Sequence, residues 1–169
     1  DYLSKGDIVY WLNNLEKESN IKDYILNEAQ IEYIWDHFGG SAWEISLLLG
    51  RFLKICQDEK VDDKGLEKII EYYLIQAKSY FEEYAGLDFS RTELLKDINK
   101  NIKDKGFLKE LNLRRLLDEE FYPDRHALQE ELNNLVRNNY LYYKPTMAEY
   151  RLQGRSMEIG LERYVHETA

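Results

Sequence analysis

Few side chains in this sequence can do covalent or metal chemistry. The chain has one cysteine, Cys56, and three histidines. Cys56 with His37 would make a thiolate–imidazole nucleophile pair. Cys56, however, continues the apolar stripe Ile45, Leu48, Leu49 and Phe52, and His37 follows Asp36 on the polar side of a helical pattern. Packing and solvation account for both residues. Asp36/His37 and Glu162/His166 have spacings that can share a metal, yet one cysteine and scattered histidines cannot build a zinc site. The carboxylate pairs Asp62-Asp63, Glu82-Glu83, Glu119-Glu120 and Glu130-Glu131 are adjacent in sequence. Adjacent positions on a helix do not face each other, and general acid–base work needs convergent groups. Fourteen tyrosines offer rings for stacking on bases, but Tyr73, Tyr80 and Tyr84 recur at core-facing helical spacing. There is no G-x-x-x-x-G-K-[ST] loop and no G-x-G-x-x-G, so nothing cradles a phosphate. The expectation is a chain with no catalytic residues, no metal and no cofactor of its own.

Composition points the same way. The 169 residues (20.3 kDa) are 44% apolar with mean hydropathy −0.63, enough for a core and too polar for a membrane span. Lys and Arg number 23 against 32 Asp and Glu, a net charge of −9, which argues against the basic footprint of a nucleic-acid binder. A lone cysteine on an apolar stripe fits a reducing, cytoplasmic setting. The sequence opens on Asp1 without initiator Met or apolar leader and is read as a piece of a longer protein.

These side chains must be positioned by helices. Both prolines, Pro123 and Pro145, fall after residue 122, so nothing interrupts the helices before them. Stripes at i, i+3, i+4, i+7 run through Ile8, Trp11, Leu12, Leu15; through Ile31, Ile34, Trp35, Phe38; and from Leu66 to Tyr84. Ser4/Asp7, Asn27/Gln30, Ser41/Glu44 and Ser90/Glu93 have capping-box spacing. Gly39-Gly40 and Gly86 supply stops. The pattern predicts helices near 4–18, 28–38, 42–57, 64–85 and 91–104. Past Gly106 it predicts two short helices (108–120 and 125–138), strands at 140–144 and 149–153 across a Pro145–Ala148 turn, and a last helix to about 167. The predicted fold is mostly α: a helical bundle, then a winged helix-turn-helix with one β-hairpin. Leu141, Tyr143 or both should pack beneath that hairpin, opposite Tyr140 and Tyr142.

The segment Phe38-Gly39-Gly40-Ser41-Ala42-Trp43-Glu44-Ile45 joins two helices at a Gly-Gly corner. It resembles the G-G-x-P-x-x-[LI] corner in the helical lid of archaeal-type AAA+ and related STAND P-loop ATPases. Ala42 stands where that family has proline. Near the other end, Leu135 to Pro145 and Tyr150-Arg151-Leu152-Gln153-Gly154-Arg155-Ser156 resemble the family's winged-helix end and wing return. The two matches follow the family's order over roughly 4–56 and 107–165. The resemblance implies a lid-like region at 1–60, a connecting pair of helices at 61–106 and a winged-helix domain at 107–169. It also implies that Gly39, Gly40, Ser41, Ala42 and Trp43 face a nucleotide, ATP with Mg²⁺, held by a P-loop domain that would precede this sequence. On the resemblance, Arg51, further along the lid helix, could reach a γ-phosphate as a sensor-type arginine; read by itself it is a surface arginine. The chain alone would then hydrolyse nothing. Its partners would be that N-terminal P-loop domain and other proteins met through the winged module.

The alternative is a free-standing winged-helix regulator that binds DNA. Residues 107–169 hold nine Lys/Arg and eleven Asp/Glu, and Glu130 and Glu131 sit on the would-be recognition helix. Phosphate contacts supply most DNA affinity, so this reading rests on the wing cations Lys144, Arg151 and Arg155.

Overall fold

The computed structural model describes residues 2–22, 24–55 and 62–169. It is mostly helical, with one antiparallel hairpin, as the pattern predicts. In order come α1 (Lys5–Asn13), α2 (Leu15–Ser19), α3 (Glu28–Phe38), α4 (Ala42–Ile55), α5 (Asp63–Ala85) and α6 (Phe89–Lys105). A 3-10 turn (Glu110–Leu113), α7 (Arg114–Asp118), α8 (Arg125–Arg137), β1 (Leu141–Lys144), β2 (Glu149–Leu152) and α9 (Arg155–Thr168) follow. Cys56 lies outside the described residues. No described helix is long and apolar enough to cross a membrane.

The chain divides into two compact units, residues 1–75 with 154–156 and residues 76–153 with 157–169. The division falls within α5, whereas the resemblance implies breaks after residues 60 and 106. The reason is packing: α6 inserts Leu94, Leu95, Ile98 and Ile102 into the same core as Leu113, Leu116, Leu128 and Leu132, so it is no mere connector.

In the first unit, capping boxes start α1 (Ser4 with Asp7) and α3 (Asn27 with Gln30). The single helix expected over 4–18 is two. Asn14 leaves helical geometry at φ −126°, ψ 40°, and its side-chain amide donates to the Tyr10 carbonyl at 2.7 Å; asparagine competes with the helix for its own hydrogen bonds. α1 packs on α3 and α3 on α4, burying Ile8, Leu12, Ile34, Phe38, Ile45, Leu48 and Phe52.

In the second unit, α6 is capped by Asp88, whose carboxylate accepts from Arg91 N–H at 3.1 Å. Ser90 and Glu93, the expected box, lie inside the helix. Leu108 and Tyr150 exchange both main-chain hydrogen bonds, at 2.9 and 2.8 Å. Tyr150 thereby spends its N–H and C=O away from β1. It meets Tyr143 as a non-hydrogen-bonded pair, in which side chains come closest, and the rings are 4.7 Å apart. Leu141 is buried beneath the hairpin as expected; Tyr143 is 43% exposed. Tyr143 borders an open groove that Leu111, Gln129, Asn133 and Val136 also line, and this leaves its ring only partly covered.

Candidate functional site

The Gly-Gly corner lies in the first unit. α3 closes with Gly39 N–H donating to the Trp35 carbonyl at 2.7 Å, and Gly39 then turns through φ 58°, ψ −139°, a conformation open only to glycine. Gly40 is buried because the main chain of Leu3 crosses it. Leu3 N–H donates to the Gly40 carbonyl at 2.9 Å, and a Cβ on Gly40 would sit 2.1 Å from the Leu3 carbonyl oxygen. Ser41 is buried, and its Oγ accepts from Glu44 N–H at 3.4 Å. Ala42 starts α4, and Trp43 stands 72% exposed beside it. Along the same helix, Leu47 is 40% exposed, and the Arg51 guanidinium stacks 4.5 Å over the Tyr72 ring.

The corner therefore gathers Gly39 to Trp43 in one place and turns only Trp43 fully outward. Ser41 is spent on capping. Glu44, read from sequence as the second half of a capping box, accepts instead from the hydroxyl of Ser156 through Oε1. Its Oε2 is buried with no hydrogen-bond partner among the described residues. Arg155 Nε donates to the Asp36 carbonyl at 3.4 Å, which fixes residues 154–156 against the corner within this unit. This arrangement offers surface, not a nucleophile or base.

Burial pushes the Glu44 carboxyl above its ordinary pKa, against the opposing hydrogen bonds of Ser156 and Ser41. A carboxyl whose folded pKa is raised costs stability as pH rises from its unfolded value, ~4.3, through the folded one. Glu44→Gln keeps an acceptor for Ser156 and removes the charge. It should stabilise the chain by about 1 kcal/mol at pH 8 and by almost nothing at pH 4. Urea unfolding at the two pH values measures this, and an equal effect at both would rule out burial of charge as the cause.

The expected wing cations are divided. Arg155 belongs to the first unit; Lys144 and Arg151 belong to the second. Arg151 Nη2 donates to Glu149 Oε2 at 3.3 Å, with the guanidinium 6.0 Å over the Phe107 ring. Lys144 Nζ lies 5.9 Å over Tyr142. On α8, Arg125 pairs with Glu110 at 2.5 Å. The groove beside them, about 620 Å³, lies among Lys109, Leu111, Arg125, Gln129, Asn133 and Tyr143.

Two ionic clusters in the second unit were not visible in the sequence. Arg115 donates to Asp97 (2.9 Å), Glu93 (2.9 Å) and Glu119 (2.9 Å). Glu131 accepts from the Tyr84 hydroxyl at 2.6 Å and pairs with Arg91 at 3.0 Å. Burial, then the Glu131 hydrogen bond, raise the Tyr84 hydroxyl far above the usual phenol range. The first cluster ties α6 to α7, and the second ties the end of α5 to α6 and α8. His37 Nδ1 bonds the Tyr33 carbonyl at 2.7 Å within its own helix. Among the described residues no group of three or more His, Cys, Asp or Glu is placed to hold a metal ion. Comparison with known protein families, curated proteins and solved structures returned no match.

Proposed function

We propose that this chain is the non-catalytic lid and winged-helix part of a P-loop ATPase. Its corner would lean on a nucleotide-bearing domain, and its winged module would contact protein. The observation that carries this reading is the corner itself. Two helices meet at Gly39-Gly40, the inner side is closed by Leu3, and an indole and Leu47 are left facing solvent at the start of α4. An exposed aromatic with an apolar neighbour suits a docking face. In the second unit, the sequence α6, bridging Leu108, α7, α8 and hairpin supports the winged-helix reading. The role would be conformational, with the lid's position following the nucleotide state of the neighbouring domain.

The DNA-binding alternative is less well supported. Arg125 and Arg151 are each matched by a carboxylate of the chain, Glu110 and Glu149. A phosphate would have to displace both. The test is genetic and biochemical. Codons upstream of Asp1 should encode a Gly-rich P-loop and an acidic Mg²⁺-holding residue; an initiation codon immediately before Asp1 overturns the proposal. The purified chain should show no ATP turnover. It should bind random and selected duplexes no tighter than about 1 µM at physiological salt, by anisotropy. Selective, tighter binding lost in an Arg151→Ala, Arg155→Ala variant would favour the DNA regulator instead.

A further inference from the structure

A second exposed apolar surface lies in the second unit; it shares no residue with the groove and does not depend on the reading above. α5 and α6 are joined by Gly86-Leu87-Asp88 alone. Leu87 at the apex is fully exposed, and Phe89, two residues on, is 65% exposed. The Phe89 ring meets Phe121, which follows α7, at 5.7 Å. A single exposed leucine means little; a leucine and a paired set of phenylalanines on adjoining turns form a patch.

The charge around this patch is one-sided. Arg115 lies 5.4 Å over the Phe121 ring, and it is held by Glu93, Asp97 and Glu119. Lys96 on Glu93 adds one more cation, still fewer than the carboxylates. Arg91, in the first turn of the helix that Phe89 opens, is shared by Asp88 and Glu131. Glu120, between these clusters and Phe121, is exposed at φ 60° with no ion pair among the described residues. Arg91, Lys96, Arg114 and Arg115 stand here against Asp88, Glu93, Asp97, Asp118, Glu119, Glu120 and Glu131, so acids are in excess around the patch. A negative rim repels nucleic acid and anionic membrane alike.

We infer that the Leu87–Phe89–Phe121 patch docks a basic amphipathic helix of a partner protein. Leucine-like side chains would cover the two phenylalanines, and Lys or Arg would lie over Asp88, Glu119 and Glu120. The apolar anchors supply the affinity, and the acidic rim supplies orientation and on-rate.

The full chain can be tested with a defined probe: a fluorescein-labelled peptide of about 18 residues, helical, leucine on one face and lysine on the other. Anisotropy should give low-micromolar binding. Leu87→Ser and Phe89→Ser together should weaken it about tenfold or more, and Glu119→Gln with Glu120→Gln several-fold. Ile25→Ser, at an exposed aliphatic residue of the first unit, should change nothing. A lysine–serine peptide and a leucine–glutamate peptide should both fail to bind. Because Leu87 is fully exposed, Leu87→Ser alone keeps the fold and still weakens binding. Equal binding of the lysine–serine peptide would show attraction by net charge only and overturn the proposal. So would an unchanged Leu87→Ser, Phe89→Ser variant. A concentration-dependent dimer that the same variant abolishes, seen by sedimentation, would assign the patch to a second copy of the chain and overturn it too.

Discussion

Gly40→Ala is expected to destabilise the chain by about 2 kcal/mol, a fall of about 4–8 °C in Tm. The backbone of Gly40 is not in the left-handed region, so alanine is conformationally acceptable there. The cost is steric. The new Cβ would lie 2.1 Å from the Leu3 carbonyl oxygen and 2.9 Å from its nitrogen, both main-chain atoms with no rotamer to move. Compressing that contact costs more than releasing the segment, so residues 2–4 should leave the corner. The chain then loses the Leu3–Gly40 hydrogen bond, worth about 1 kcal/mol net, and the Ser4 cap of α1, worth about as much. Removing residues 1–3 should by itself abolish most of the difference between the parent chain and the Gly40→Ala variant. A double-mutant cycle in urea reads this directly. If Gly40→Ala costs the same in the shortened chain, the crossing of Leu3 is not the reason for glycine.

Arg115→Met should cost about 2–3 kcal/mol at pH 7. Breaking a buried ion pair by removing one partner typically costs about 3–5 kcal/mol. The lower figure applies because the Arg115 side chain is 36% exposed and partly screened by solvent, although Glu93 and Asp97 are only 11% and 13% exposed. Methionine keeps the length of the aliphatic stem but removes the guanidinium that lies over Phe121, so both the charge and that ring contact are lost. The Glu93 carboxyl is held below its ordinary pKa, first by the Lys96 hydrogen bond and then, against the cost of burial, by Arg115. A lowered folded pKa gives stability that is present above the unfolded value, ~4.3, and is lost as pH falls through the folded one. The penalty of Arg115→Met should therefore shrink below about pH 4, where the stranded carboxylates take up protons. Chemical unfolding at pH 7 and pH 3 measures both ends. A penalty that is the same at pH 3 would trace it to packing over Phe121.

What the sequence announced was what acts within a few residues. The Ser4/Asp7 and Asn27/Gln30 boxes form, Gly39-Gly40 ends α3, and the hairpin lies where the β-prone run and Pro145 place it. Ser90/Glu93 failed because Asp88, two residues earlier, accepts the first-turn N–H, and because Glu93 is drawn inward by Arg115, 22 residues away. Glu44 found Ser156 at a separation of 112 residues, which no local pattern encodes. Leu108 pairs with Tyr150 through one residue, too short for any strand signal. Of the candidate site, the corner was legible because glycines and a cap are local; that Leu3 closes its inner side was not. The wing cations were legible as residues; that Arg151 is held by Glu149 of its own strand, and that Arg125 of α8 meets Glu110 of the 3-10 turn, was not.

The placement of indoles has a practical consequence. Trp11, Trp35 and Trp43 all fall in the first unit. Trp11 donates to the Ser19 hydroxyl at 2.6 Å, while Trp43 looks into solvent. Indole fluorescence, excited at the red edge where tyrosine does not absorb, is thus a label on one unit only, whereas helical ellipticity is drawn from both. Recording the two signals through a single melt tells whether the halves lose structure as one cooperative body, since coincident curves are the mark of a two-state transition. Quenching of the outward indole by iodide, followed in the same sample, reports on that face before anything melts.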